Sequence, residues 1–169
     1  MTRRYSRGRG RRLTAYEQAV ERLAASRAGA WAFLHVFNGI DRRLLPLTRG
    51  RLSLALGAPV GLLETHGART GRLRRVPLLY VLDDERVILV ASNGGSRSDP
   101  AWLHNVRACG AVRFLSRERG WLGYRAHVAA GAERARCWEL AIDLYAGYGT
   151  YQSRAGGREI PVVVLSRVP

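Results

Sequence analysis

Gly67-Ala68-Arg69-Thr70-Gly71-Arg72-Leu73-Arg74-Arg75-Val76-Pro77 separates two apolar, strand-like runs, Gly61-Leu62-Leu63 and Leu78-Leu79-Tyr80-Val81-Leu82. Glycines bracket the turn, and glycine permits a tight reversal that exposes backbone N–H groups. Arginine adds planar forks that match phosphate or carboxylate oxygens at two points. The stretch therefore predicts a β-hairpin whose tip suits an anion, with a merely solvated basic hairpin as the alternative. A second glycine-rich turn, Ala91-Ser92-Asn93-Gly94-Gly95, follows the next apolar run.

The same texture continues outward from this hairpin. Candidate strands lie at 51–56, 60–66, 74–82, 86–92, 111–116, 121–130 and 160–166, and Asp83-Asp84-Glu85 closes a second hairpin. Asp99-Pro100 reads as an N-cap with proline at the first helical position, opening a helix to about Ala108. A last helix fits 131–146, with Trp138, Ala141, Ile142 and Tyr145 on one side. Upstream, Thr14-Ala15-Tyr16-Glu17 is a capping box opening an amphipathic helix. A further helix is expected from about Ala30 to Leu45, stopped by Pro46, with Trp31, Leu34, Phe37 and Leu45 on its apolar face. The count of strands predicts a β-rich α+β chain: a mostly antiparallel barrel with N-terminal and peripheral helices, not a doubly wound sheet. The organisation expected is a disordered basic arm over 1–12, a helical segment over 13–50 and the barrel domain over 51–169.

With 169 residues, 47% of them hydrophobic, the chain can bury one substantial core. The net charge is +15, and all of the positive charge is arginine, since the chain contains no lysine. Exclusive use of arginine marks a compositional bias, so charge alone does not choose among nucleic acid, an anionic membrane face and an acidic cofactor. Cys109 and Cys137 lack metal spacing and read as buried free thiols. Arg3-Arg4 is not followed by the uninterrupted apolar run of a secretion leader, and Ala28–Phe37 is too short to span a bilayer. The expectation is a cytoplasmic protein, peripheral on the inner membrane face if the basic arm binds lipid.

No hydrolytic or metal constellation stands out. His35, His66, His104 and His127 have no carboxylate or cysteine at ligand spacing, and Ser92 lacks a nucleophile elbow. Tyr145, Tyr148 and Tyr151 recur every third residue in Tyr145-Ala146-Gly147-Tyr148-Gly149-Thr150-Tyr151-Gln152. Phenols offer a flat apolar ring and one hydroxyl donor, suited to covering a pocket and meeting a carbonyl or nitro oxygen. A packing edge is the other reading of the same residues.

Taken in order, Gly-x-Arg-Thr-Gly-x-x-Arg-x-x-Pro-Leu-Leu-Tyr, Ala-Ser-Asn-Gly-Gly, Asp-Pro-Ala-Trp-x-x-Asn, Tyr-x-x-Tyr-x-x-Tyr-Gln and Ile-Pro-Val-Val-Val resemble the deazaflavin (coenzyme F420)-dependent nitroreductase and quinone reductase family over about residues 36–166. The resemblance implies a split β-barrel related to FMN-binding oxidoreductases. It also implies hydride transfer from reduced F420 to a quinone or nitroaromatic acceptor. Arg69, Thr70 and Arg74 fall where the family holds the cofactor's phosphate and acidic tail. Pro77, Leu79, Ser92, Asn93, Pro100 and Trp102 fall where it lines the deazaflavin ring. Tyr145, Tyr148 and Tyr151 fall in the substrate pocket, and Ser92, Tyr148 and Tyr151 are the catalytic candidates. Three positions depart from the pattern: Ala68 where a basic residue is common, Leu79 in place of an aromatic, and Asn93 where some members have lysine. Three other readings stay open: an FMN-dependent oxidoreductase on the same barrel, a cofactor carrier without catalysis, and a nucleic-acid binder using the arm with Arg113, Arg117, Arg119 and Arg125.

Overall fold

The computed structural model describes residues 38–48, 50 and 58–168. The basic arm, the capping-box helix, the start of the second helix and the candidate strand at 51–56 lie outside them.

Six antiparallel strands close into a barrel: β1 (Val60–His66), β2 (Leu73–Asp83), β3 (Arg86–Val90), β4 (Ala111–Ser116), β5 (Gly120–Val128) and β6 (Val162–Arg167). Around the barrel they run β1-β2-β3-β6-β5-β4. The β1–β4 seam pairs Leu62 with Leu115, Leu63 with Phe114 and Glu64 with Arg113. Gly61 makes this seam possible, because a Cβ there would lie 2.3 Å from the Phe114 ring and 2.6 Å from the Leu115 carbonyl oxygen.

Strand residues alternate between the barrel interior and an outer face that helices cover. On β6, Val163 and Leu165 join the interior cluster with Leu63, Tyr80, Leu89, Phe114 and Tyr124, whereas Val162 and Val164 face outward among Val81, Ile88, Cys137 and Leu144. Two buried faces explain why such strands read as continuous apolar runs rather than alternating ones. Pro77 sits within β2 where only one neighbour is laddered: β1 pairs with Leu73–Leu79 and β3 begins at Tyr80.

Four helices surround the barrel among the described residues: α1 (Asn38–Leu47), α2 (Ala101–Ala108), α3 (Gly131–Leu144) and α4 (Gly147–Arg154). α1 lays Leu45 on outward-facing Val60, Leu62 and Leu115. α2 inserts Trp102, Leu103 and Val106 into the interior cluster. α3 packs Cys137, Ala141 and Leu144, spaced by four and three residues, against the outside of the sheet.

Several sequence expectations change. Pro46 does not stop α1, which runs through it to Leu47. In the final turn, Thr48 and Gly50 collect the terminal carbonyls, with Thr48 N–H donating to Leu44 O at 3.0 Å and Gly50 N–H to Leu45 O at 2.7 Å. Pro100, not Asp99, occupies the N-cap of α2, and no side chain caps that helix; the Asp99 carboxylate is engaged by two arginines instead. The helix expected over 131–146 ends at Leu144, where Tyr145 turns extended and a separate α4 begins. β3 ends at Val90, β5 at Val128, and β6 begins at Val162, each within two residues of expectation. Both cysteines are free, but only Cys137 is buried; Cys109 lies exposed just past α2.

Candidate active site

The arginine-bearing turn is a compact reversal between β1 and β2. Gly67 N–H donates to Arg72 O at 2.9 Å, and the Thr70 and Gly71 N–H groups both donate to Gly67 O, at 3.2 and 2.8 Å. Thr70 Oγ1 accepts a bond from Arg72 N–H at 3.4 Å, which leaves its proton free to donate outward. Arg69, Thr70 and Arg74 are exposed, as is Arg72. None of these arginines forms an ion pair within the described residues, so three guanidinium groups stand uncompensated around one turn. Asn105 on α2 anchors the turn: its side-chain oxygen accepts the Ala68 N–H at 3.0 Å and its amide donates to Thr65 Oγ1 at 3.1 Å. Asn105 closes the Asp-Pro-Ala-Trp-x-x-Asn motif, yet its anchoring role was not legible there.

The second turn is held far more tightly. After β3, Ser92 leads into a short 3-10 turn over Asn93–Gly95. Asn93 adopts φ +49° and donates its side-chain amide to Ser98 O at 3.1 Å. The half-buried Ser92 hydroxyl makes no hydrogen bond to the described residues, whereas its carbonyl accepts Gly95 N–H at 3.0 Å and Arg158 Nη2 at 3.0 Å. At Gly95, with φ +82°, a Cβ would lie 3.0 Å from Tyr151 O and 3.1 Å from Tyr151 Cα. The turn and the tyrosine helix thus meet backbone to backbone, which only glycine allows.

α4 and its lead-in bring the three tyrosines together. Ring centroids are 5.3 Å apart for Tyr145–Tyr148, 6.0 Å for Tyr145–Tyr151 and 6.3 Å for Tyr148–Tyr151, and Trp138 lies 6.3 Å from Tyr148. These tilted and edge-on geometries suit aromatic quadrupoles. The Tyr145 and Tyr151 hydroxyls are 3.3 Å apart. Tyr148 is 5% exposed and Tyr151 7%. Burial pushes the Tyr148 hydroxyl well above the usual phenol range, with the neighbouring Tyr151 adding to the effect. Burial also raises Tyr151, opposed by its bond to Tyr145. Both phenols therefore stay protonated at neutral pH and remain hydrogen-bond donors.

Leu79 borders the tyrosine cluster from the barrel wall. It points out of the barrel and packs against both the tyrosine cluster and the α1 cluster. Pro77, on the same outward face of β2, is buried, as is Pro100, whereas Trp102 is 7% exposed and belongs to the barrel core. Other residues singled out from sequence lie elsewhere. His66 and His104 are exposed, and exposed His127 contacts Glu133 at 2.9 Å. Arg113 pairs with Glu64 at 3.2 Å and stacks over Trp121, and Arg119 donates to the Asp84 and Glu85 carbonyls, so two of the four arginines considered for nucleic acid are engaged internally. No cluster of metal-ligating side chains occurs among the described residues.

The sequence model of the family described as F420H(2)-dependent quinone reductase matches residues 41–167. The chain belongs to this family. It is an oxidoreductase, and the family reaction carries a hydride from reduced F420 to a quinone. The F420H(2)-dependent quinone reductase Rv1261c of Mycobacterium tuberculosis is 36% identical over 124 residues, covering 71% of this chain and 83% of that protein. Among solved structures, an F420-H2 dependent reductase is 35% identical with a TM-score of 0.60, covering 64% of this chain and 94% of its own. A domain-swapped dimer is 32% identical with a TM-score of 0.62, covering 76% and 95%. F420 dependence follows from the family; the FMN alternative gains no support.

Proposed function

We propose that the arginine turn and the serine turn together seat F420, and that the tyrosine cluster receives a quinone beside it. The observation that carries this reading is the backbone contact of Gly95 with Tyr151, which sets the Ser92–Asn93 turn directly against the tyrosine helix. The donor set suits the cofactor. Arg69, Arg72 and Arg74, uncompensated around a glycine turn, match a phosphate and an acidic tail. Ala68 contributes no side-chain contact, and its N–H is already committed to Asn105. Pro77 and Leu79 offer an apolar wall on the outer face of β2, and the Ser92 and Asn93 turn offers polar groups at its edge.

Bound and reduced, the deazaflavin supplies a hydride. The chain's part is orientation, exclusion of water and hydrogen bonding. Rings of Tyr145, Tyr148 and Tyr151 form an uncharged aromatic wall that favours a flat, neutral acceptor. As an acceptor oxygen gains charge, a protonated phenol of Tyr148 or Tyr151, or the uncommitted Ser92 hydroxyl, meets it. A nitro oxygen presents the same acceptor geometry, so nitroaromatic reduction belongs to the same proposal.

Titration calorimetry with F420 and FMN tests cofactor choice: tighter binding of F420 is expected, and equal or tighter FMN binding would overturn the assignment. Docking on anionic lipid, where quinones partition, is a further part of this reading and rests on the arginines of residues 1–12 and the amphipathic pattern over 14–25. No described helix is long and apolar enough to cross a membrane. Co-sedimentation with anionic vesicles should be lost on removing residues 1–25; identical sedimentation of both forms would remove the idea.

A further inference from the structure

One half-buried arginine outside the expected site residues makes the densest polar connections near it. Arg158 lies between α4 and β6 and is 15% exposed. Its Nη2 donates to Ser92 O at 3.0 Å and Ser96 O at 2.9 Å, and its Nε also donates to Ser96 O at 3.1 Å. Its Nη1 donates to Asp99 Oδ1 at 2.8 Å and reaches Ala91 O at 3.3 Å. The guanidinium thus gathers the exit of β3, both ends of the serine turn and the entry to α2. Asp99 in turn holds Arg107 on α2 at 2.7 Å.

The backbone of the same residue is tied to the opposite side of the site. Gln152, next to Tyr151 on α4, donates its amide to Arg158 O at 2.8 Å, and its side-chain oxygen accepts Ile160 N–H at 2.9 Å. One residue therefore links the Ser92–Asn93 turn through its side chain and the Tyr148–Tyr151 helix through its main chain. Five donors in a rigid fork can satisfy several carbonyls and a carboxylate at once, and an ammonium group has neither the reach nor the geometry to do so.

We infer that Arg158 is a positioning residue for hydride transfer: it fixes the serine turn relative to the tyrosine helix, and so sets the spacing between the cofactor side and the acceptor side of the site. This inference rests on the proposed seat of F420. Arg158 touches neither cofactor nor acceptor in this reading; it acts through the Ser92 carbonyl, Asp99 and Gln152. Displacement of reacting partners by an ångström is enough to slow a reaction by orders of magnitude.

The test measures menadione reduction by F420H2 in the full-length chain, with kcat and KM resolved and melting temperature recorded in parallel. Arg158→Lys retains the charge facing Asp99 but not the fork. It should lower kcat by about tenfold or more at temperatures well below its melting point, with a smaller change in the KM for menadione. Arg136→Gln, which disrupts a remote ion pair with Asp83, serves as a stability control and should keep the parental kcat within about twofold. A parental kcat in Arg158→Lys, or an equal loss in Arg136→Gln, would overturn the inference. Asp99→Asn weakens the same clamp more gently and should give an intermediate kcat. Failure of both Arg158→Lys and Asp99→Asn to fold would make the clamp a folding element and would equally overturn it. Absence of F420H2-dependent turnover in the parent would instead count against the proposed function itself.

Discussion

The two glycine-rich turns of this protein are built in opposite ways. Gly67–Arg74 projects from the end of a hairpin, exposed, with three arginines that have no acidic partner among the described residues, and beyond its own strands it is tied to the fold by the Ala68–Asn105 bond. Ser92–Asp99 is cinched by Arg158 and packed backbone to backbone on α4. Uncompensated charge on an exposed turn is suited to capturing an anion, and its energetics are screened by salt. A turn whose carbonyls are pinned is suited to holding reacting atoms at a fixed separation, and its energetics are geometric. The difference separates affinity from rate: one turn is expected to govern how tightly F420 is held, the other how fast the hydride moves.

The largest expected effect lies on the rate side. Tyr148→Phe and Tyr151→Phe each keep the ring and delete only a hydroxyl that burial holds in its protonated form. The double variant should lose about a hundredfold in kcat for menadione, the range for removing a donor to a developing oxyanion. F420 affinity measured by calorimetry should not change. Full turnover in the double variant would exclude a phenolic role and leave Ser92, solvent or the backbone as donor.

A smaller effect is expected on the affinity side. Arg74→Ala should weaken F420 binding by about 1.5–3 kcal/mol, as for a charge-assisted hydrogen bond, and should flatten the salt dependence of the dissociation constant. Its kcat at saturating F420H2 should remain close to the parent's. Unchanged affinity in both Arg69→Ala and Arg74→Ala would return the turn to a solvated hairpin.

The smallest catalytic effect, none, is expected far from both turns. Asp83 is buried at the end of β2 and held by Arg136 at 2.8 Å and Arg86 at 2.5 Å. The hydrogen bond from Arg136, set against the cost of burial and joined by Arg86, holds its carboxyl below the ordinary aspartate value of 3.8. A depressed carboxyl stabilises the fold above its unfolded-state value, and this stabilisation is lost as pH falls through the folded-state value. Arg136→Gln should therefore melt below the parent at pH 7, and the gap should close as pH falls below 3.8. A gap that widens in acid would contradict the linkage.

The strands were legible because most are apolar runs bounded by glycine or acidic turns; β1 and β4 match their expected limits, and the others shift by one or two residues. The strand count also points to a barrel, but not to the seam that closes it, since the three-residue β1–β4 pairing that Gly61 admits is a property of spacing in three dimensions. Pro46 and Asp99 depart from expectation for different reasons. The proline rule yields because Thr48 and Gly50 take up the terminal carbonyls of α1 from just beyond Pro46, and the capping rule yields because remote Arg158 and Arg107 engage the Asp99 carboxylate. Within the site, side chains in glycine turns and regular tyrosine spacing could be found in sequence, but Asn105 and Arg158 act by pointing at backbone atoms of remote segments, and Gln152 at those of the loop that follows its own helix. Arg158 sits two residues before the Ile160-Pro161 motif and looks like any other member of an arginine-rich surface until its five bonds are seen.

The division between capture and positioning is tested most directly by steady-state menadione reduction with F420H2 across a series of ionic strengths, using the unaltered chain. The KM for F420H2 should climb with salt while kcat stays level. A kcat that falls with salt while that KM holds constant would contradict the assignment of the two turns.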